Sequence, residues 1–284
     1  WDAANKRISI SHDDFPSEQV VYVALKPNVI EDIYNNLIPG QNVTFTVEDA
    51  EPPTITFNPS HQATAVSLGT SIKISFNEPV RNVGGGVLDD TNLAPRITLE
   101  DTTDGSALPF TPTINATKDT ITVNPDSDFL GEHFIKVCVD DQLEDASSNA
   151  ISDSCAIFST EDVAPPVITF VPADGATGVA QDVVIAVNFS EPVRQTDAVE
   201  LDDNNVDALI TLKQNDNNGS DIDFDASIKI SRKKINIIPT NNFGSEEDVY
   251  VCVDAVEDAS GNHTSKECAT FKTADISAAS ITID

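Results

Sequence analysis

The stretch SIKISFNEPVR, residues 71–81, returns about one domain length later as VVIAVNFSEPVR, residues 183–194. A second motif behaves in the same way: LDDTN-x4-ITL, residues 88–99, recurs as LDDNN-x4-ITL, residues 201–212, at an offset of 113. A fixed period of this size indicates tandem copies of one domain. The chain therefore contains its own alignment, in which the copies can be compared position by position.

The period also divides the chain into whole and partial copies. The pair Glu31-Asp32 recurs as Glu144-Asp145 and as Glu257-Asp258, 113 residues apart each time. We predict four segments: the C-terminal half (strands E to G) of an earlier repeat at 1–50, whole repeats at 51–163 and 164–276, and the first strand of a following repeat at 277–284. The sequence is therefore interpreted as a piece of a longer array.

Alternating apolar residues predict that each copy is built of β-strands. Ile72, Ile74 and Phe76 are separated by polar residues, a period of two that gives a strand one apolar face. No segment carries a helical stripe, and about seven short strands in roughly 110 residues is typical of an immunoglobulin-like sandwich. The predicted fold class is all-β, with tandem immunoglobulin-like β-sandwich repeats that proline-bearing linkers arrange end to end.

The half copy is expected to need completion. Its strands are predicted at residues 7–11, 20–25 and 42–47, and alone they would leave Val21 and Phe45 facing water. We expect strands from outside residues 1–50 to cover them. Continuation of the same chain is favoured over exchange with a neighbouring chain.

The charge balance limits the possible partners. The chain has 16 Lys and Arg against 47 Asp and Glu, a formal net charge of −31. Such a surface repels nucleic acid and anionic membranes. No apolar run approaches the roughly 20 residues of a membrane span. The composition fits an acidic, solvated surface or cation binding.

Four cysteines fall as two pairs at matching places in the whole copies. Cys138 and Cys155 are 17 residues apart, and Cys252 and Cys268 are 16 apart. This spacing predicts one disulfide within each copy, between outward positions of strands F and G, and an oxidising compartment. Bridges between chains are the alternative.

Acidic residues are expected to converge where each repeat begins. The end of strand B, the B–C loop and the F–G loop of an immunoglobulin-like domain lie at one pole. Calcium binds six to eight oxygen ligands, which this supply suits. The predicted calcium ligands are Asp49, Glu78, Asp89, Glu144 and Asp145 for the first whole copy, and Asp162, Glu191, Asp202, Glu257 and Asp258 for the second. The alternative is that EDASSN and EDASGN are only polar turns.

Two further groups of residues carry weaker signals. Glycosylation sequons occur at Asn42, Asn115, Asn188, Asn218 and Asn262, about as many as chance would give. The histidines His12, His61, His133 and His263 occupy unrelated places in the copies and are expected on the surface. No nucleophile elbow, phosphate loop or HExxH motif is present, so no catalytic residue and no enzymatic activity is predicted.

The second copy resembles a known family. PPVITFVPADGATGVA at residues 165–180, FSEPV at 189–193 and EDASGN at 257–262 are similar to the bacterial Ig-like repeats of surface-layer proteins and large adhesins. The resemblance implies an elongated, non-enzymatic extracellular protein. The leading hypothesis is a stalk, fibre or filament at a cell surface, whose partners are neighbouring repeats or other copies in an assembly. The alternatives are an adhesin that binds a glycan or protein ligand, and an accessory region of a secreted hydrolase.

Overall fold

The computed structural model describes residues 7–277. They belong to two compact units that meet in sequence at Glu161 and Asp162. Apart from two short 3₁₀ helices, the regular structure of these residues is all β-strand, so the predicted fold class is confirmed. No helix among residues 7–277 is long and apolar enough to cross a membrane.

The first strands in the chain form a separate two-stranded sheet. Strand β1 (Val20–Leu25) pairs antiparallel with β2 (Gln41–Thr46). The strand predicted at residues 7–11 is not formed: Arg7 makes a single bridge and irregular backbone follows it. Its counterpart in the first whole repeat is paired on both sides. The segment at 7–11 has no such flanking strands among the described residues, so its alternating pattern alone does not produce a strand.

The first whole repeat is a sandwich of two four-stranded sheets. Its strands are β3 (Ile55–Asn58), β4 (Ile72–Phe76), β5 (Arg81–Asn82), β6 (Ile97–Asp101), β7 (Ser106–Ala107), β8 (Phe110–Ile114), β9 (Thr120–Pro125), β10 (Phe134–Val139), β11 (Leu143–Glu144) and β12 (Ser154–Ser159), with a 3₁₀ helix at Ala94–Arg96. One sheet has the order β3-β4-β9-β8 and the other β12-β10-β6-β7. Ile74 of the first sheet and Val137 of the second are fully buried, because the alternating apolar residues of both sheets face one core.

The second whole repeat has the same plan. Its strands are β13 (Ile168–Val171), β14 (Ala176–Val179), β15 (Ile185–Phe189), β16 (Arg194–Gln195), β17 (Ile210–Gln214), β18 (Phe224–Ile228), β19 (Lys234–Pro239), β20 (Asp248–Val253), β21 (Val256–Glu257) and β22 (Glu267–Thr273), with a 3₁₀ helix at Val206–Leu209. The sheets are ordered β13-β15-β19-β18 and β14-β22-β20-β17, and β14 runs parallel to β22.

Each whole repeat contains one disulfide between neighbouring antiparallel strands. Cys138 of β10 lies opposite Cys155 of β12, with 4.1 Å between their Cα atoms, and Cys252 of β20 lies opposite Cys268 of β22 at 4.0 Å. Closing loops of 17 and 16 residues stabilises each repeat by roughly 3 kcal/mol on the chain-entropy account. The expectation of outward sulfurs needs one correction: Cys252 is fully buried, although it lies on the opposite face of its strand from the core valines.

Two short ladders position the acidic residues of each repeat. Strand β5 pairs with β11 in the first repeat, and β16 pairs with β21 in the second. Each ladder joins the end of the EPVR motif to the start of the EDASSN or EDASGN turn. Both motifs therefore meet at the place where the segment leading into the repeat passes.

Candidate functional site

The glutamate of each ED pair forms a buried ion pair with the arginine of EPVR. Arg81 Nε donates to Glu144 Oε1 at 2.9 Å, and Gly85 N–H donates to the same oxygen at 3.0 Å. In the second repeat, Arg194 Nε donates to Glu257 Oε1 at 2.7 Å. Both glutamates are only 4% exposed. Glu144 and Glu257, which we predicted as calcium ligands, are therefore engaged by arginine instead.

The aspartate of the same pair organises the turn that follows it. Asp145 Oδ1 accepts hydrogen bonds from Ser147 N–H at 2.7 Å and from Asn149 N–H at 2.9 Å. Asp145 Oδ2 accepts from Asn149 Nδ2 at 2.8 Å. Burial by itself would raise the pKa of the Asp145 carboxyl, but these hydrogen bonds outweigh it and the pKa is lowered. Asp145 is therefore an anion that the folded protein stabilises at neutral pH.

The asparagine of this turn fastens the segment that leads into the repeat. Asn149 Nδ2 also donates to the main-chain oxygen of Asp49 at 3.2 Å. The second repeat repeats the contact with Asn262 Nδ2 and Asp162 O, again at 3.2 Å. Asn262 also holds Asp258 Oδ2 at 2.8 Å. The turn and the leading segment are thus joined in both repeats by one amide group.

Three carboxylates converge in each repeat. Oxygens of Asp49, Glu78 and Asp145 all lie within 4.8 Å of one another. The carboxyl of Glu78 has a raised pKa, first because of its burial and then because of the negative charges of Asp145, Asp49 and Glu18. Like charges at this separation oppose ionisation. We name this group the first carboxylate cluster.

The second repeat contains the matching group. Asp162, Glu191 and Asp258 place carboxylate oxygens within 4.8 Å of one another, and we name them the second carboxylate cluster. Six of the ten predicted calcium ligands are therefore brought together as two groups of three. This recurrence in two separately folded repeats marks the cluster as a designed feature of the repeat and not a local accident.

The LDD aspartates lie outside both clusters. Asp89 Oδ1 accepts hydrogen bonds from the N–H and the hydroxyl of Thr91, at 2.9 and 2.6 Å. Asp202 Oδ1 accepts from Asn204 N–H at 2.8 Å. These hydrogen bonds lower the pKa of Asp89, led by the Thr91 hydroxyl. The two aspartates therefore shape their own loops, and the structure does not bring them to the predicted sites.

A third acidic group escaped the sequence reasoning. His133 Nδ1 lies 2.5 Å from Asp101 Oδ2, and Asp104 is close enough to share a ligand with them. Asp101 is 2% exposed and the His133 side chain only 22%, so His133 is not the surface residue that we expected. The equivalent positions in the second repeat are Gln214 and Glu247. Comparison of the copies therefore carried no signal for this group.

The sequon asparagines differ in accessibility. Asn42, Asn115 and Asn218 are exposed, whereas Asn188 and Asn262 are partly buried. Asn262 would carry a glycan on Nδ2, the atom that already donates two hydrogen bonds. A glycan at that position would break both contacts, so Asn262 is the least suitable of the five sites.

Comparison with known proteins places the repeats in a family. The profile of the bacterial Ig-like domain matches the chain twice, at residues 49–160 and 161–273. The chain belongs to the bacterial Ig-like domain family. The resemblance drawn from the PPVITF, FSEPV and EDASGN motifs is thereby confirmed. These bacterial Ig-like domains are tandem, and no curated protein sequence matches the chain.

Solved structures with a similar fold share little sequence with the bacterial Ig-like domains. The N-terminal part of the bacterial S-layer protein SbsC is 16% identical over 78% of this chain and 44% of its own, with a TM-score of 0.30. Titin A168169 is 10% identical over 79% and 100%, with a TM-score of 0.33. A Dpr11 IG1 complex with DIP-gamma is 8% identical over 78% and 98%, with a TM-score of 0.38. The chain spans less than half of that SbsC structure.

Proposed function

We propose that this chain is part of an extracellular structural protein, a stalk or fibre in which Ig-like repeats act as spacers. Both whole repeats carry the same sandwich, disulfide, arginine–glutamate pair and carboxylate cluster. A repeated unit of this kind serves length and stiffness. Two disulfides favour an oxidising environment outside the cytoplasm. The role is mechanical and not catalytic.

We further propose that each carboxylate cluster binds calcium. The observation that carries this proposal is the recurrence of three converging carboxylates at the same place in both repeats. Calcium lies about 2.4 Å from each oxygen ligand, so two oxygens on one ion are separated by at most about 4.8 Å. The clusters meet that limit. Three carboxylates supply up to six oxygens, which fits the coordination number of calcium.

Calcium at these clusters would attach the leading segment to its repeat. Asp49 and Asp162 belong to that segment, whereas the other carboxylates of each cluster belong to the sandwich. The bound ion would offset the repulsion that raises the pKa of Glu78. A ligand that binds only the folded state also raises its stability by mass action. The expected result is a stiffer array in calcium than in a chelator.

The experiment compares the full chain in calcium and in a chelator. Isothermal titration should give two binding events, and small-angle scattering should give a narrower distribution of molecular dimensions when calcium is bound. A control variant, Asp14→Asn, removes one exposed carboxylate of the first unit and should behave like the wild type. Absence of calcium binding would refute the metal proposal. Selective retention of a glycan or protein at micromolar affinity would instead support the adhesin alternative.

A further inference from the structure

The hairpin of β1 and β2 is in the same register as the F–G pair of the first whole repeat. Ala24 lies opposite Asn42, as Cys138 lies opposite Cys155. Strand β2 precedes β12 by 113 residues, and β1 precedes β10 by 114. The hairpin therefore has the length, pairing and direction of the closing strands of an Ig-like sandwich.

The core positions of this hairpin are not covered. Phe45 and Val43 of β2 are 42% and 56% exposed. The residues at the equivalent positions of β12, Phe158 and Ala156, are 1% and 0% exposed. Phe15 contacts the edge of Phe45 at a ring-centroid distance of 6.0 Å and covers only part of it. Positions that form the core of the whole repeats thus face solvent within residues 7–277.

The ED turn of the hairpin is formed but its charge partner is missing. Asp32 Oδ1 accepts from Tyr34 N–H at 2.8 Å and from Asn36 N–H at 2.9 Å, and Asp32 Oδ2 accepts from Asn36 Nδ2 at 2.9 Å. These are the contacts of the Asp145 and Asp258 turns. Glu31 is exposed, whereas the glutamates at its place in the whole repeats are buried against the arginine of EPVR. No described residue forms an ion pair with Glu31.

We propose that the Val43–Phe45 face of this hairpin is the docking surface for the front half of a third bacterial Ig-like domain. The occupant is a segment equivalent to residues 51–119, and its EPVR-type arginine pairs with Glu31. This proposal is independent of the calcium sites. It also reaches beyond the family matches, which begin at residue 49.

The occupant is polypeptide that precedes the hairpin in the same chain. A second copy of this chain could offer only the strands of its own two repeats, and their counterparts of the missing strands are already in use. Ile72 and Ile185, the first residues of β4 and β15, are both fully buried in their own cores. A second copy would have to unfold a complete repeat to supply them, which costs the stability of that repeat.

The test grafts a front half onto the chain. Residues 51–119 are joined directly to Arg7, and a second version uses residues 164–232 in case side chains of the first do not fit. Amide hydrogen exchange at Val21, Val23, Val43 and Phe45 should slow by about 100-fold relative to the ungrafted chain, because these amides become part of a closed domain. A graft of the same composition in scrambled order is the matched control and should give no protection.

A second readout tests the charge partner. Glu31→Gln should lower the protection in the grafted chain and leave the ungrafted chain unchanged, because only the graft supplies an arginine. The proposal is overturned if neither graft slows exchange, or if Glu31→Gln has no effect in a protected graft. Protection of the ungrafted chain that rises with protein concentration would show that a second copy is the occupant and would also overturn it.

Discussion

Replacing Glu78 with glutamine should change the stability of the first unit in opposite directions with and without calcium. In a chelator, Glu78 stands among carboxylates of Asp49 and Asp145 with oxygens within 4.8 Å. At that distance one pair of charges repels by about 0.9 kcal/mol in water and about 3.5 kcal/mol at an effective dielectric constant of 20. Glu78 is partly exposed, so screening favours the lower value. Glu78→Gln should therefore raise the free energy of unfolding by about 1–2 kcal/mol.

The pH dependence follows from the raised pKa of Glu78. A carboxyl whose folded pKa lies above its unfolded value stabilises the fold at low pH, and this contribution is lost as the pH rises through the folded pKa. The advantage of Glu78→Gln in a chelator should therefore be largest at neutral pH and disappear below the ordinary pKa of glutamate. With calcium at 100 times its dissociation constant, the wild type gains about 2.7 kcal/mol. Glu78→Gln should lose most of that gain.

The assay is thermal unfolding of the full chain, with the two transitions assigned by repeating it in a second-cluster variant, Glu191→Gln. A change of 1–2 kcal/mol in a unit of this size moves Tm by a few degrees, about 2–8 °C. Asp14→Asn, which removes the same charge from an exposed position, should leave both transitions unchanged. If Glu78→Gln lowers Tm in a chelator, the carboxylates do not repel each other and the reasoning is wrong.

Replacing both Cys138 and Cys155 with serine should lower the unfolding free energy by roughly 3 kcal/mol, which denaturant titration would measure; no change would mean that the bridge does not form in solution. Asn262→Ala removes the amide that joins the turn to Asp162, so proteolysis at the leading segment should accelerate, and an unchanged rate would contradict this. Phe158→Ala should cost about 3–5 kcal/mol. Phe45→Ala in the ungrafted chain should cost under about 1 kcal/mol by denaturant titration, because its ring is 42% exposed; an equal loss would show that Phe45 is buried.

The fold was predictable because the copies agree wherever packing fixes a residue. Ile72 and Ile185 occupy matching strand positions and both are fully buried, so alternation gave the correct inward face. Alternation fails where the neighbouring strands are absent. Residues 7–11 have the pattern of a strand, but no described strand flanks them and only Arg7 makes a bridge.

The candidate site was predictable in outline and not in detail. Sequence shows that Glu144 and Asp145 are adjacent acids near the start of the repeat, and either could face the cluster. The β5–β11 register decides between them, because it places Arg81 opposite Glu144 and leaves Asp145 for the cluster. A pairing register is a property of two strands together, and a single motif does not contain it.

The parallel pairing of β14 with β22 determines how the second repeat would respond to tension. Gly175 N–H donates to Thr270 O at 2.7 Å, and Ala274 N–H donates to Val179 O at 2.8 Å. These strands lie near the two ends of the repeat, so pulling on both ends slides one strand along the other. Hydrogen bonds loaded by sliding must rupture together, whereas bonds at the end of an unzipping hairpin rupture singly. The topology that closes the sandwich therefore also acts as a mechanical clamp against extension.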